Sequence, residues 1–424
     1  MMNPLIINKF IIDHSSFIIK LKDEFMIKNL RQAYNADFKP EKYNAFLKDV
    51  YAEHQHRPIF RISETPVFIP NDLKKKLIQA CDEIVNVLVQ PDFKQKTEKS
   101  LEKAHRVPNE DAHPNFLVID FGICENEKGE LTPQLIELQG FPSLYFFQQI
   151  LAKMYRRHFD LPANSTPLLN GLDENSYIEL MREVIVGDTP PEQVVLLEIE
   201  PMKQATTIDF LATHKALSIK ILCITEVVKK DKKLYYKDDN GNFIQILKIY
   251  NRVIFDELER RKDLKLNFSF LDELDIEWIG HPNWFFRISK YALPFLKSEF
   301  VPDTRFLKDF NGHYPTDLNN YVLKPLFSFS GQGVQLHITK SDLDNIQDKD
   351  NYILQKKVQY KPALAAPNEP VKVEIRMMLV WKKNEAKPQL INNLIRLSKG
   401  EMIGVRYNKD KDWVGASAGL FCEE

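Results

Sequence analysis

Six consecutive residues, Val194-Val195-Leu196-Leu197-Glu198-Ile199, constrain the fold of this chain more than any other stretch. A run of strand length that is apolar but for Glu198, with no alternation, suits a strand buried on both faces of a parallel sheet. Parallel neighbours need a crossover connection. The spacing predicts one: a helix across Thr206–Leu217, then a second strand at Ile219–Ile224. KKLYYKDDNGNFIQIL reads as a hairpin turning at Asp239-Asn240-Gly241, and a further strand ends at Ile249-Tyr250-Asn251-Arg252. Strand, helix and strand in this order describe a small α/β unit.

One such unit cannot account for 424 residues, so two or three packed subdomains are expected. Residues 22–105 alternate helical patterns with polar joints. One helix is predicted from Asn71-Asp72, which would cap it, with Leu73, Leu77, Ile78, Cys81, Ile84 and Val85 on one face. Charged residues are 28% of the chain and nearly cancel, for a formal net charge of -1. That balance offers no general attraction to nucleic acid or to acidic membrane. No apolar run is long enough to span a bilayer. Met1–Phe25 is interrupted by Lys9, Asp13 and His14, unlike the apolar core of a signal peptide. The four cysteines lie far apart, which suits a reducing compartment and forms no metal knuckle. A cytoplasmic location is the expectation.

Three groups of residues carry possible chemistry. Phe116–Phe121 and Gln134–Gln139 read as strands of a hairpin with a charged tip, followed by a helix from about Pro142. Glu137 and Gln139 are two apart and share a face, and Asp120 on the adjacent strand can reach it. Hard cations take such oxygens, and magnesium beside a nucleotide needs one or two protein carboxylates. A polar face on a half-exposed sheet would show the same pattern. The second group is Lys324, ending the strand Tyr321–Lys324, with the loop Ser328-Phe329-Ser330-Gly331-Gln332-Gly333. Its glycines let backbone N–H groups approach an anion and the ammonium adds charge. No Gly-Lys-Ser/Thr follows, so it is not a Walker loop. A solvated hairpin turn is the other reading. The third is Arg376 and Arg396, inside the apolar strands predicted at Val373–Trp381 and Gln389–Arg396. A guanidinium there needs an anion, either a phosphate or a structural carboxylate. With the strand at Tyr352–Lys357, this last region reads as mainly antiparallel.

Taken together, these groups resemble the circularly permuted ATP-grasp enzymes, including the synthetase domain of glutathionylspermidine synthase. Asp120, then Ile136-Glu137-Leu138-Gln139 and Pro142-Ser143-Leu144-Tyr145, is similar to that family's Asp…Glu-x-Asn…Pro-Ser/Thr-x-x-Tyr segment. Tyr250-Asn251-Arg252 is similar to its Tyr-x-Arg. Ser289-Lys290 resembles its nucleotide-binding lysine, and Val322-Leu323-Lys324-Pro325 with Ser330–Val334 its lysine and glycine loop. Tyr352–Lys357 is similar to its adenine hinge. Asn393–Arg396 and Lys411–Val414 resemble its closing strand and tail. In the usual ATP-grasp chain the Glu-x-Asn strand follows the lysine loop; here Glu137 precedes Lys324. Gln139 stands where the family has Asn.

The resemblance implies an α+β or α/β chain with an ATP-grasp fold of permuted strand order. Its divisions would be a mainly helical region at 1–115, the metal-binding hairpin and helices at 116–190, the small α/β subdomain at 191–285 and the nucleotide-binding subdomain at 286–424. It implies ATP and Mg2+ as cofactors. Magnesium would sit on Asp120, Glu137 and Gln139. The nucleotide would lie on Lys290, Lys324, Ser328, Ser330, Gly331, Gln332, Gly333, Gln355 and Lys356. Arg252, Arg376 and Arg396 form the implied catalytic set. The implied reaction joins a carboxylate to an amine through an acyl phosphate, on a small-molecule or peptide substrate. Two other readings remain: phosphate transfer to a hydroxyl, and nucleotide binding without catalysis.

Overall fold

The computed structural model describes residues 26–101, 106–328, 331–401, 403, 408 and 410–422. It is a mixed α/β structure of several sheets and helices. The Val194–Glu198 strand is buried throughout and lies inside a four-stranded parallel sheet. Lys220–Cys223 is on one side of it; Lys248–Asn251 and then Glu277–Ile279 are on the other. The crossover is the Thr207–Leu217 helix. Arg252 lies just beyond the strand predicted to end on it. Lys233–Lys237 and Phe243–Ile246 form the predicted hairpin. Asp238 holds its turn by accepting from the Asn240 and Asn242 backbone N–H groups.

The largest sheet has five antiparallel strands, in the order Gly415–Ser417, Gln389–Ser398, Lys372–Val380, Phe116–Glu125, Leu131–Gln139. The predicted hairpin therefore shares one sheet with strands some 250 residues later. One face packs Leu117, Ile119, Phe121, Ile375, Met377 and Ile395 into the main core, which also takes up the Asn71–Leu88 helix. Phe116, Val118, Met378 and Val380 on the opposite face meet Tyr145 and Phe146. The Tyr145 hydroxyl donates to the backbone carbonyls of Leu117 and Leu379, 3.2 and 2.8 Å away. A third sheet, antiparallel, has Tyr352–Lys356 between Thr304–Phe306 and Tyr321–Pro325.

Two helix starts differ from expectation. Pro70, not the Asn71-Asp72 pair, precedes the Asn71–Leu88 helix, and no side chain caps it. Pro70 is extended and its carbonyl already accepts from Lys74 N–H, so Asn71 lies inside the first turn. The helix expected from about Pro142 begins at Tyr145, because Leu144 adopts a left-handed conformation, with φ 60°, immediately before it. Asp209 then accepts from the N–H groups of Phe146 and Phe147, both at 2.9 Å, placing a carboxylate at the positive helix end. Helices Lys28–Asp37 and Pro40–Glu53 accompany a short strand, Val67–Ile69, which pairs in parallel with Gly419–Cys422.

Candidate functional site

Alternation along the strands sets the chemistry of the large sheet. Glu374 and Arg376, two apart, share the face of Asp120, which lies directly opposite Arg376. Arg376 grips Asp120 with two parallel bonds, Nε to Oδ1 at 2.6 Å and Nη2 to Oδ2 at 2.7 Å. Such forked pairs are the strong form of carboxylate recognition. Arg396, opposite Glu374 on the next strand, donates to Asp120 and pairs with Glu374. The Tyr360 hydroxyl donates to Glu374 Oε2 at 3.1 Å. Gly122 makes that approach possible, since a Cβ there would stand 2.7 Å from the Tyr360 ring.

Burial works against ionising Asp120, but Arg376 and Arg396 outweigh it and hold the carboxyl below its usual range. Burial pushes Glu374 up, and the nearby Asp120 charge adds to that while Arg396 opposes it. Both carboxylate oxygens of Asp120 are engaged by guanidinium groups, and Asp120 and Arg376 lie beneath the cavity wall rather than on it.

That cavity, about 1430 Å³, lies between this face and the sheet centred on Tyr352–Lys356. Glu137, Lys290, Lys324, Gln355, Glu374 and Arg396 all line it. Lys324 lies on the strand face shared with Gln355; its Nζ donates to Gln355 Oε1 at 2.6 Å and to the Ile136 carbonyl at 3.0 Å. Burial, with the Lys290 charge, lowers its pKa to about 8, although Glu137 pulls the other way. Lys290 opens the short helix Lys290–Phe295, capped by the Ser289 side chain. Its Nζ donates to the Ser328 carbonyl and lies 3.5 Å from Glu137 Oε1. The buried atoms Gln355 Nε2 and Ser328 Oγ have no hydrogen-bond partner among the described residues. Two ammonium groups with unsatisfied polar atoms beside them suit an anionic ligand bearing hydrogen-bonding edges. Glu137 and Glu374 are the wall carboxylates on the two strands that flank Asp120; Glu401, Asp410 and Asp412 also line the cavity.

The remaining expected residues scatter. Gly331 lines the cavity, whereas Gln332 is exposed and accepts from Arg260 at 3.4 Å. Gly331 and Gly333 both have φ near 71°, a backbone state that favours glycine. Ser330 lies outside the described residues. Lys356 is exposed and alternates away from the wall that its neighbour Lys357 joins. Gln139 is half-buried and off the wall. Arg252 is in a separate buried place, its guanidinium 4.8 Å from the Phe141 ring centroid and 5.4 Å from that of Phe210. There its Nε and Nη1 have no hydrogen-bond partner among the described residues. Burial raises the nearby Glu198 to about 8 against the pull of Arg252.

Sequence reasoning missed Glu374, Tyr360 and Lys357. Glu374 carried a signal, standing two residues before Arg376 in an otherwise apolar strand. Tyr360 follows its strand in a loop, and no local pattern marked it.

The fold is similar to that of a glutathione synthetase-like effector from Globodera pallida, solved in its apo form. The TM-score is 0.59 and the sequences are 10% identical, over 94% of this chain and 100% of that one. No protein-family model matches the chain, and no curated protein matches its sequence. At that identity the likeness speaks for the fold alone.

Proposed function

We propose that this chain is an ATP-dependent ligase with a circularly permuted ATP-grasp fold, joining a carboxylate to an amine. One observation carries the reading: Lys290, Lys324 and the Gln355 amide meet in one cavity with two carboxylates, Glu137 and Glu374. Lys290, Lys324 and the Gly331 backbone would hold the phosphates. Gln355, whose Nε2 has no partner among the described residues, would meet the adenine edge. Glu137 and Glu374 would hold magnesium, because both stand on the cavity wall whereas Asp120 lies beneath it. Mg-ATP, when bound, supplies the phosphoryl group that makes a carboxylate reactive toward an amine. Catalysis in such a site is mainly positioning and charge neutralisation. Arg396, on the wall, faces the reacting groups. Arg376 acts through Asp120 by positioning it. The likeness to a glutathione synthetase-like effector supports a ligase of this kind.

Calorimetry with Mg-ATP tests the reading. Saturable binding is expected, and Lys324→Ala should weaken ATP far more than adenosine. No binding up to millimolar nucleotide by demonstrably folded protein would end it. Amide formation in a panel of acids and amines separates ligation from phosphate transfer to a hydroxyl.

A further inference from the structure

At about 1430 Å³ the cavity exceeds the roughly 300–1,000 Å³ of most small-ligand sites, and its two ends differ in kind. The end beside Glu137 holds Lys290, Lys324 and Gln355. Across the sheet, beyond Glu374 and Arg396, Ile59, Phe60, Leu144, Leu394 and Ala416 give the wall an apolar strip, beside lining charges that include Arg61, Lys372, Lys411 and Asp412.

The fold brings these apolar groups together. Ala416 is the register partner of Arg396, and Leu394 is two residues before Arg396 on the same face. Ala416 N–H donates to the Arg61 carbonyl at 2.9 Å and Ile62 bridges to Ala416, which lays the preceding Ile59-Phe60 segment along that sheet edge. The Phe60 ring meets Phe147 edge-on at 5.5 Å, against the helix that Leu144 precedes.

Two observations point to a ligand here. Ile59 is 77% exposed, the most exposed large hydrophobic side chain among the described residues, and it stands on this wall. Exposed apolar surface beside a cavity with a few polar groups is characteristic of a binding site. Independently, Arg396 Nε is buried with no partner among the described residues, although the same guanidinium serves Asp120 and Glu374. A buried N–H left unpaired calls for an acceptor oxygen.

We propose that this end of the cavity binds the acid substrate, and that the acid has an apolar body. Its carboxylate accepts from Arg396. Its hydrocarbon or aryl part lies against Phe60, Leu144, Leu394 and Ala416, with Ile59 at the rim. The proposal rests on the ligase reading and adds the class of acid.

Three measurements on the full chain test it: Mg-ATP binding, direct binding of 4-phenylbutyrate against glutamate, and ATP turnover with both acids and a panel of amines. Phenylbutyrate is expected to bind at least tenfold more tightly than glutamate and to give at least tenfold higher kcat/KM. Ile59→Asp and Phe60→Asp should each lower kcat/KM for phenylbutyrate at least fivefold and leave the Mg-ATP Kd within twofold. Ile59 is too exposed for its substitution to threaten folding, so I59D stands even where F60D does not fold. Equal or better use of glutamate, or no effect of I59D on phenylbutyrate, overturns the proposal while Mg-ATP binding leaves the ligase reading intact. Absence of Mg-ATP binding removes the ligase reading and the assigned substrate role together.

Discussion

The four-stranded parallel sheet and the five-stranded antiparallel sheet are both rich in long aliphatic side chains, yet they present opposite chemistry. In the parallel sheet, Val195 and Leu197 enter one core and Val194 and Leu196 another, so both faces are sealed. In the antiparallel sheet one face is sealed and the other changes along its length, from Phe116, Val118, Met378 and Val380 to Asp120, Glu374, Arg376 and Arg396. The difference teaches how a strand tolerates charge. The acid and base on neighbouring strands are in register, so each offsets the other's burial. A parallel strand with helices or loops on both sides has no such open face to use.

The largest effect expected from this contrast is on stability. Asp120→Ala leaves two guanidinium groups without the carboxylate that Arg376 grips at 2.6 and 2.7 Å. It should cost about 3–5 kcal/mol in guanidinium chloride unfolding, as breaking one side of a buried ion pair does. Leu196→Ala, in the sealed sheet, should cost about 3 kcal/mol and leave Mg-ATP affinity unchanged wherever the protein remains folded. An Asp120→Ala cost under about 1 kcal/mol would mean the charged face is held by something other than this cluster.

A smaller effect is expected with pH. Lys324 keeps its charge below about 8 and loses it above. If only the ammonium form grips phosphate, Mg-ATP affinity should fall by up to about tenfold between pH 7 and 9. Stability should move the other way. The lysine is lowered from 10.5 on folding, so between about 8 and 10.5 the unfolded chain binds more protons and stability rises with pH. Calorimetry across this range reads the first slope and denaturant midpoints the second; a pH-independent affinity would remove Lys324 from the phosphate site.

The smallest expected effect is at Gln139. It shares the Glu137 face but not the cavity wall. Gln139→Asn should therefore leave Mg-ATP affinity within about twofold. A tenfold change would return Gln139 to the metal set and shift the boundary between the two parts of that face.

Much of the fold was legible where a local pattern suffices. The Val194–Ile199 run, the Asp239-Asn240-Gly241 turn and the buried stripe Leu73, Leu77, Cys81 and Ile84 all follow from periodicity and turn chemistry. The site was legible in pieces. Lys290, Lys324, Gln355, Glu137 and Arg396 do share one cavity, while Arg252, Gln139 and Lys356 lie off its wall. Alternation can assign a residue to a face. It carries no information about which part of that face a helix will cover.

By itself the sequence determined the strands, their buried faces and the residue types able to meet phosphate or a cation, because these depend on neighbours two to four positions away. Only the tertiary structure decided that Asp120 would be answered by Arg376 and Arg396, 256 and 276 residues later. It also decided that Phe60 and Ala416 would line the same cavity as Lys324. Strand pairing over such separations is selected by the whole packing of the chain, since every strand edge presents the same backbone donors and acceptors to any partner.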